Sequence, residues 1–418
     1  MHFEVDALSY SEFAICRGMR KLSPKSDTPP PTNATSPQSA LDKYAECCED
    51  LQSRDLLRQL PAFEPHTDFA HNDYLGLSKH AQVKAAAKQA IDQFGTGSTA
   101  ARLLAGNLNC IVEFEEIIAR DKGTEAALLF SSGFQANQSV LTALLDPAVL
   151  GAEPRVFSDR LNHASLHHGC FAAGARQHRY GHLDLNHLES NLKKHAGCSR
   201  PKFILTESLF GMDGDAVDIA ALSQLAHRFG AFLYLDEAHA TGVKGKAFYG
   251  LSGDAEAPAD MVMGTLGKAL GSSGAFVACS AELKAYLVNR CAGFIYSTAP
   301  CPASIAAARC AWELVPSLNT EREIIDQHVN SIHAAAETNG WNLASSSSQI
   351  LPLIVGDAKK VVDIGEQMQA AGVRVSAIRP PTVPVGTSRI RLAISSLHSQ
   401  DDVQKLIDVL GPLLDRPS

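Results

Sequence analysis

Ala231-Phe-Leu-Tyr-Leu-Asp-Glu-Ala-His239 and, further on, Met261-Val-Met-Gly-Thr-Leu-Gly-Lys-Ala-Leu-Gly271 decide the fold. In each, a short apolar run closes on polar groups: Ala231–Leu235 runs into Asp236, and Met261–Met263 runs into Gly264 and Thr265. Such runs, bounded by Gly and polar residues, read as buried parallel strands. Functional groups on an open α/β sheet gather at the carboxyl ends of its strands. Asp236, His239, Thr265 and Lys268 are therefore expected to share one crevice. That set suits pyridoxal 5'-phosphate: a lysine for the Schiff base, an acid for the pyridinium nitrogen, hydroxyls for the phosphate. Taken alone, Asp236 equally suits a strand-end residue that caps the next turn.

Outward from this pair, helical stretches alternate with apolar strands from about residue 80 to 300, among them Ala126–Phe130, Arg155–Ser158 and Phe203–Thr206. The alternation predicts a large, doubly wound, mostly parallel sheet. Pro300 and Pro302 precede a helical run over Ala303–Leu314, read as a bridge to a smaller C-terminal α+β domain. There, helices are expected near Lys359–Ala371 and Asp401–Leu410, and strands near Ile350–Val355 and Ser388–Ile394. Leu41–Leu60 reads as an amphipathic helix stopped by Pro61. Residues 22–40 are rich in Pro, Ser and Thr and bury too little apolar surface to offset ordering entropy. The expected organisation is thus a disordered extension over 1–40, a helix and arm over 41–77, a large domain over 78–302, and a bridging helix with a small domain over 303–418. Met19 is an alternative start.

At 418 residues the chain can bury a large core. Its 45% hydrophobic and 20% charged content is that of an ordinary globular protein. A formal net charge of -8 argues against nucleic acid as a main partner, because phosphate contacts need clustered Lys and Arg. The ten cysteines form no Cys-x-x-Cys pair and read as reduced thiols. No apolar stretch reaches the roughly 18–20 residues of a membrane span. Glu4, Asp6 and Glu12 make the N-terminus a poor organellar transit peptide, so the expectation is a cytoplasmic protein.

Ser131-Ser-Gly-Phe-Gln-Ala-Asn137 follows the strand Ala126–Phe130 and opens a helix. It reads as a phosphate cradle at Gly133 and Phe134, where backbone N–H groups and the helix dipole attract an anion, or as an ordinary strand-to-helix turn. Asp236-Glu-Ala-His239 also resembles a helicase nucleotide motif, but the required Gly-x-x-x-x-Gly-Lys-Ser/Thr loop is missing. A dinucleotide-binding dehydrogenase is excluded for want of Gly-x-Gly-x-x-Gly after the first strand. His163 and His167, one helical turn apart, read as a metal pair, a solvated face or a lid over a cofactor; no third ligand stands at diagnostic spacing, and the expectation is no metal. In Arg379-Pro-Pro-Thr-Val-Pro-Val-Gly-Thr-Ser-Arg-Ile-Arg391 the prolines fix an extended approach. The Arg389-Ile390-Arg391 alternation places both guanidinium groups on one side of a strand, as a carboxylate site or a solvent face.

Together these residues resemble the α-oxoamine synthases, a fold-type-I pyridoxal-phosphate family, over residues 41–412. Asn72-Asp-Tyr-Leu-Gly-Leu77, Gly95-Thr-Gly-Ser-Thr99, Arg102-Leu-Leu-Ala-Gly106, Ser132–Asn137, Asn162-His-Ala-Ser165, Met212-Asp-Gly-Asp215, Asp236–Gly242, Gly267-Lys268 and Tyr296-Ser-Thr298 stand in the family's order. The resemblance implies that Lys268 is the Schiff-base lysine, Asp236 the partner of the pyridine nitrogen, His239 a partner of the ring hydroxyl, and His163 a ring stacked on the pyridine face. It places the phosphate at Gly133, Phe134 and Thr265, with Thr298 reaching it from a second subunit of a homodimer. Arg391 and Asn72 would take the amino-acid carboxylate, and Arg58 and Thr382 the acyl substrate. Two positions depart from the family: Gly211 stands where a Ser is usual, and Ile111 where a His is usual.

The implied activity is a C-acyl transfer to an amino acid with loss of carbon dioxide. The run Arg379–Arg391 resembles the branch that joins L-alanine to a pimeloyl thioester in biotin formation, with either coenzyme A or acyl carrier protein as the carrier. Glycine with acetyl-CoA is the alternative within the family. A non-catalytic partner subunit is the alternative outside it, and Lys268 with its flanking glycines speaks against that.

Overall fold

The computed structural model describes residues 39–60, 67–254 and 258–414. Residues 1–38 of the expected extension, Met19 among them, lie outside the described residues.

Twelve strands are described: β1 (Thr67–Asp68), β2 (Ala126–Phe130), β3 (Arg155–Asp159), β4 (Gln177–Tyr180), β5 (Lys202–Glu207), β6 (Ala231–Asp236), β7 (Met261–Thr265), β8 (Ala275–Cys279), β9 (Ile350–Gly356), β10 (Val373–Arg374), β11 (Ser376–Ile378) and β12 (Ser388–Ala393). Seven of them form one sheet in the order β2-β8-β7-β6-β5-β3-β4. The strands β3 to β7 run parallel, and β8 alone is antiparallel to both its neighbours. The architecture is thus the doubly wound, mostly parallel α/β sheet that the sequence predicts. Helices cover both faces of the sheet, so that even the edge strand β2 is buried at every residue, as is its neighbour β8.

The antiparallel β8 is not announced by the β–α alternation, and its cause is a short connection. The link Leu266–Gly274 is shorter than the dozen or so residues of a parallel crossover, so the chain must return beside β7 in the opposite sense. Leu266 N–H donates to Gly274 O (2.9 Å), Ser272 N–H to Leu266 O (2.9 Å) and Gly271 N–H to Lys268 O (2.8 Å). Lys268 therefore rides on a tight turn at the sheet's edge. Gly271 has φ +61°, and a Cβ there would lie 2.2 Å from Ser78 N, so only glycine lets this turn meet the Leu77–Ser78 segment.

A second sheet, β11-β12-β9, is antiparallel and packs with the helices Ala358–Ala370 and Gln400–Leu414. Along β12, Ile390 and Leu392 point into the core, and Arg389 and Arg391 take the opposite face. The helix Pro302–Leu314 carries Trp312, fully buried, stacked on Tyr249 (4.5 Å) and edge-on to Phe276 (5.5 Å). One apolar core contains Phe69, Phe114, Phe276, Trp312, Leu353 and Ile390, so it runs without a break from the large sheet into the small one. Ile111, where the resemblance leads one to look for a His, is wholly buried in that core.

The N-terminal helix is shorter than predicted: Ala40–Ser53 rather than Leu41–Leu60. It opens on a capping box, Ser39 Oγ accepting from Asp42 N–H (3.2 Å) and Asp42 accepting from Ser39 N–H (3.0 Å). It stops because Asp55 turns to φ 56° and the following segment is held elsewhere: Arg379 Nη2 donates to Leu57 O (3.0 Å) and Arg58 Nη2 to Thr382 Oγ1 (3.1 Å). No described helix is long and apolar enough to cross a membrane.

Candidate active site

Parallel packing brings the carboxyl ends of β2, β3, β5, β6 and β7 to one edge, and the chemistry gathers there. Asp236 ends β6 and is 3% exposed. Its Oδ2 accepts from Asn137 Nδ2 (2.7 Å) and its Oδ1 from Ala238 N–H (2.9 Å). Asn137 is in turn held by Tyr234 Oη–H (2.8 Å) and donates to Ser165 Oγ (2.8 Å), so the carboxylate is fixed by a chain of buried polar groups.

Lys268 Nζ meets His239 Nε2 at 2.7 Å, and His239 Nδ1 meets Tyr74 Oη at 2.9 Å. Tyr74 Oη donates to Asn72 Oδ1 (3.0 Å), which also accepts from Arg391 Nη2 (3.0 Å). The tyrosine hydroxyl, having given its proton to Asn72, accepts from His239 Nδ1–H; His239 Nε2 is then the lone pair that accepts from Lys268. Burial, with the positive charge of Lys268, pushes the His239 pKa well down, which agrees with a neutral ring. Burial also lowers Lys268 to about 8, against the opposing pull of Asp236 and Glu207. Desolvation wins there, and the amine is brought into the range where it exchanges protons near neutral pH.

His163 caps the helix Ala164–Ala172, and its Nδ1 meets Ser165 Oγ at 2.7 Å, which fixes the ring's direction. His163 keeps exposed surface, yet the protein around it dehydrates the ring enough to lower its pKa, against the opposing pull of Asp236. His167 does not join it: Nδ1 of His167 bonds Gln177 Oε1 (2.7 Å), and no group of three metal-ligating side chains occurs among the described residues.

At the start of the helix Gly133–Leu144, Ser132 Oγ accepts from Gln135 N–H (3.3 Å), which leaves the N–H groups of Gly133 and Phe134 without an intrahelical acceptor. A Cβ at Gly133 would stand 2.6 Å from Thr265 Cγ2, so the absence of a side chain keeps this N-terminus open beside β7. Arg391 is 3% exposed, with Nε donating to Gly211 O (2.5 Å). Arg389 is ion-paired with Asp213 instead.

Of the residues singled out in the sequence, the structure brings Lys268, His239, Asn72 and Arg391 into one hydrogen-bonded chain, and places Asp236, His163, Gly133, Phe134 and Thr265 along the same sheet edge. Arg58 and Thr382 meet each other, but no hydrogen bond among the described residues joins them to that chain. Thr298 is exposed and forms a backbone bridge with Ala101. Sequence reading missed Tyr74, Asn137 and Glu207. Glu207 had a visible signal, since it closes the apolar run Phe203–Thr206 as Asp236 closes Ala231–Leu235. Tyr74 had none, because its partner His239 is distant in sequence.

The family model for aminotransferase class I and II matches residues 64–410. An 8-amino-7-oxononanoate synthase from Gluconacetobacter diazotrophicus is 49% identical over 345 residues, covering 82% of this chain and 86% of the relative. In fold, the chain superposes on a serine palmitoyltransferase from Sphingomonas wittichii with a TM-score of 0.81 at 24% identity, covering 90% of this chain and 98% of that one. It also superposes on an 8-amino-7-oxononanoate synthase from Francisella tularensis with a TM-score of 0.70 at 24% identity, covering 83% and 97%. The match over most of the chain, with the ordered motifs on the sheet's carboxyl edge, shows that this protein belongs to the aminotransferase class I and II family, in its α-oxoamine synthase branch.

Proposed function

We propose that this chain, a pyridoxal-phosphate enzyme by family, joins L-alanine to a pimeloyl thioester with loss of carbon dioxide, giving 8-amino-7-oxononanoate for biotin formation. The observation that carries the reading is the hydrogen-bonded line from Lys268 through His239, Tyr74 and Asn72 to Arg391, which sets a base and a carboxylate-binding guanidinium in one site.

The residues present fit the cofactor. Free N–H groups at Gly133 and Phe134 suit a phosphate, and Thr265 stands beside them, its methyl against Gly133 and its hydroxyl donating to Ala238 O (3.3 Å). Asp236 is a buried carboxylate with fixed donors, the group that favours a protonated pyridine nitrogen. When bound, pyridoxal phosphate supplies an electron sink for the amino acid's Cα. Lys268 Nζ tethers it and, once free, takes the Cα proton, a task for which a pKa near 8 is suited. His239, neutral and donor-held at Nδ1, keeps an acceptor facing the reacting amine. His163 covers one face of the site and excludes water there. Arg391, held by Gly211 O and Asn72, grips the alanine carboxylate until it leaves as carbon dioxide. Arg58 with Thr382 supplies polar groups for the far end of the acyl chain. Thr298 completes the phosphate site of a second subunit in a homodimer.

Steady-state assay of alanine and glycine against pimeloyl and acetyl thioesters, on both coenzyme A and acyl carrier protein, tests the reading, paired with rescue of a biotin auxotroph. Faster turnover of glycine with acetyl-CoA, without rescue, would replace it by the other branch of the family.

A further inference from the structure

Glu207 closes β5 beside Asp236, its register partner on β6, and the reaction above gives it no task. It is 5% exposed, and among the described residues no Lys, Arg or His pairs with it directly. A buried carboxyl in that position is costly unless hydrogen bonds hold it. Two do. Oε1 accepts from His163 N–H at 2.6 Å and Oε2 from Gly211 N–H at 3.4 Å. Those amides belong to two different loops, one following β3 and one following β5.

Gly211 matters to the site on each of its sides. Its carbonyl accepts from Arg391 Nε, and a Cβ on it would stand 2.2 Å from His239 Nε2, the atom that meets Lys268. The peptide at 211 is therefore pressed between the imidazole, the guanidinium and Glu207, and the side chain that is usual here in the family could enter only by pushing His239 off Lys268.

We propose that Glu207 is a positioning residue of the amino-acid site, one carboxyl oxygen fixing the His163 loop and the other fixing Gly211, through which it sets Arg391. Burial, and then the charge of Asp236, push the Glu207 carboxyl up to about 8, so near neutral pH hydrogen bonding rather than charge is its main contribution. The oxygen facing Gly211 still accepts through a lone pair when protonated, though more weakly, which agrees with the longer of the two bonds.

The test uses the cofactor-loaded full chain with Glu207→Gln and Glu207→Ala. Amide hydrogen exchange is followed in peptides covering residues 161–164 and 209–214, and L-alanine affinity is read from the cofactor's visible absorbance. In Glu207→Gln the remaining carbonyl oxygen keeps the His163 bond, while the new NH2 faces the Gly211 N–H, donor against donor. Protection should hold in the first peptide and fall in the second, with alanine bound about tenfold more weakly, the order of one lost hydrogen bond. Glu207→Ala should lose protection in both peptides and weaken cofactor as well as alanine. A general loss of packing would instead loosen both peptides equally in the Gln variant. That equal loosening, unchanged protection in both variants, or lost Gly211 protection with unchanged alanine affinity overturns the proposal; if the Ala variant does not fold, the Gln variant decides alone. The affinity arm rests on Arg391 being the carboxylate site. Should unsubstituted protein bind no alanine, that reading fails, and the exchange arm still decides for Glu207.

Discussion

Lys268 illustrates how burial and a neutral neighbour make a base. A free lysine amine is protonated at neutral pH; here desolvation outweighs the two carboxylates nearby and brings the pKa to about 8. The folded value lies below the free one, so the fold favours the neutral amine, which is lost to protonation as pH falls through about 8. Capture of pyridoxal phosphate by cofactor-free protein should therefore accelerate as pH rises through about 8 and level off above it. A profile still rising toward the pKa of free lysine would mean that the site does not desolvate the amine. Borohydride should attach the phosphopyridoxyl group to a peptide containing Lys268, and Lys268→Ala should keep the far-UV spectrum while losing turnover and that label. Label on another lysine moves the anchor. Arg391→Ala removes a charge-assisted contact, and alanine affinity should fall about a hundredfold with cofactor affinity little changed. Unchanged alanine saturation would point to another group, although Arg389 is already taken by Asp213.

At the scale of elements, the junction of β2 with the helix Gly133–Leu144 shows where a single methyl group matters. The added Cβ in Gly133→Ala meets Thr265 Cγ2 at 2.6 Å, so β7's hydroxyl residue must move away from the helix N-terminus. Cofactor affinity should drop about tenfold, the order of one phosphate hydrogen bond, with the thermal midpoint of cofactor-free protein nearly unmoved. Equilibrium dialysis reads the first and calorimetry the second; intact affinity would place the phosphate elsewhere. The same junction was legible in the sequence, because a buried strand running into Ser-Ser-Gly and then a helical period is a local pattern. β8 was not: its apolar run looks like any parallel strand, and only the shortness of Leu266–Gly274 dictates its reversal. The end of the first helix was missed for a related reason, since the contacts of Leu57 and Arg58 with the Pro-rich run come from the far end of the chain.

The whole molecule carries one apolar core through both sheets, yet leaves Tyr296 85% exposed and the helix Ala40–Ser53 with no buried residue, Leu41 being 75% and Tyr44 70% exposed. A two-fold homodimer covering these surfaces is expected, the commonest closed assembly of soluble chains. Sedimentation should give twice the chain mass at assay concentrations, with activity lost on dilution below dissociation; a fully active monomer would contradict it.

What the sequence determined by itself was whatever depends on near neighbours: the buried strands, the groups at their carboxyl ends, the open helix N-terminus, and the alternation that put Arg389 and Arg391 on one face. The tertiary structure alone decided which polar groups meet. Tyr74 stands 165 residues from His239, and Arg391 stands 180 from Gly211. Hydrophobic period encodes which face of an element is buried, but carries no address for a hydrogen-bond partner on another element. That address comes from strand order and register, and with it Glu207 ceased to be the end of a strand and became the tie between two loops of the site.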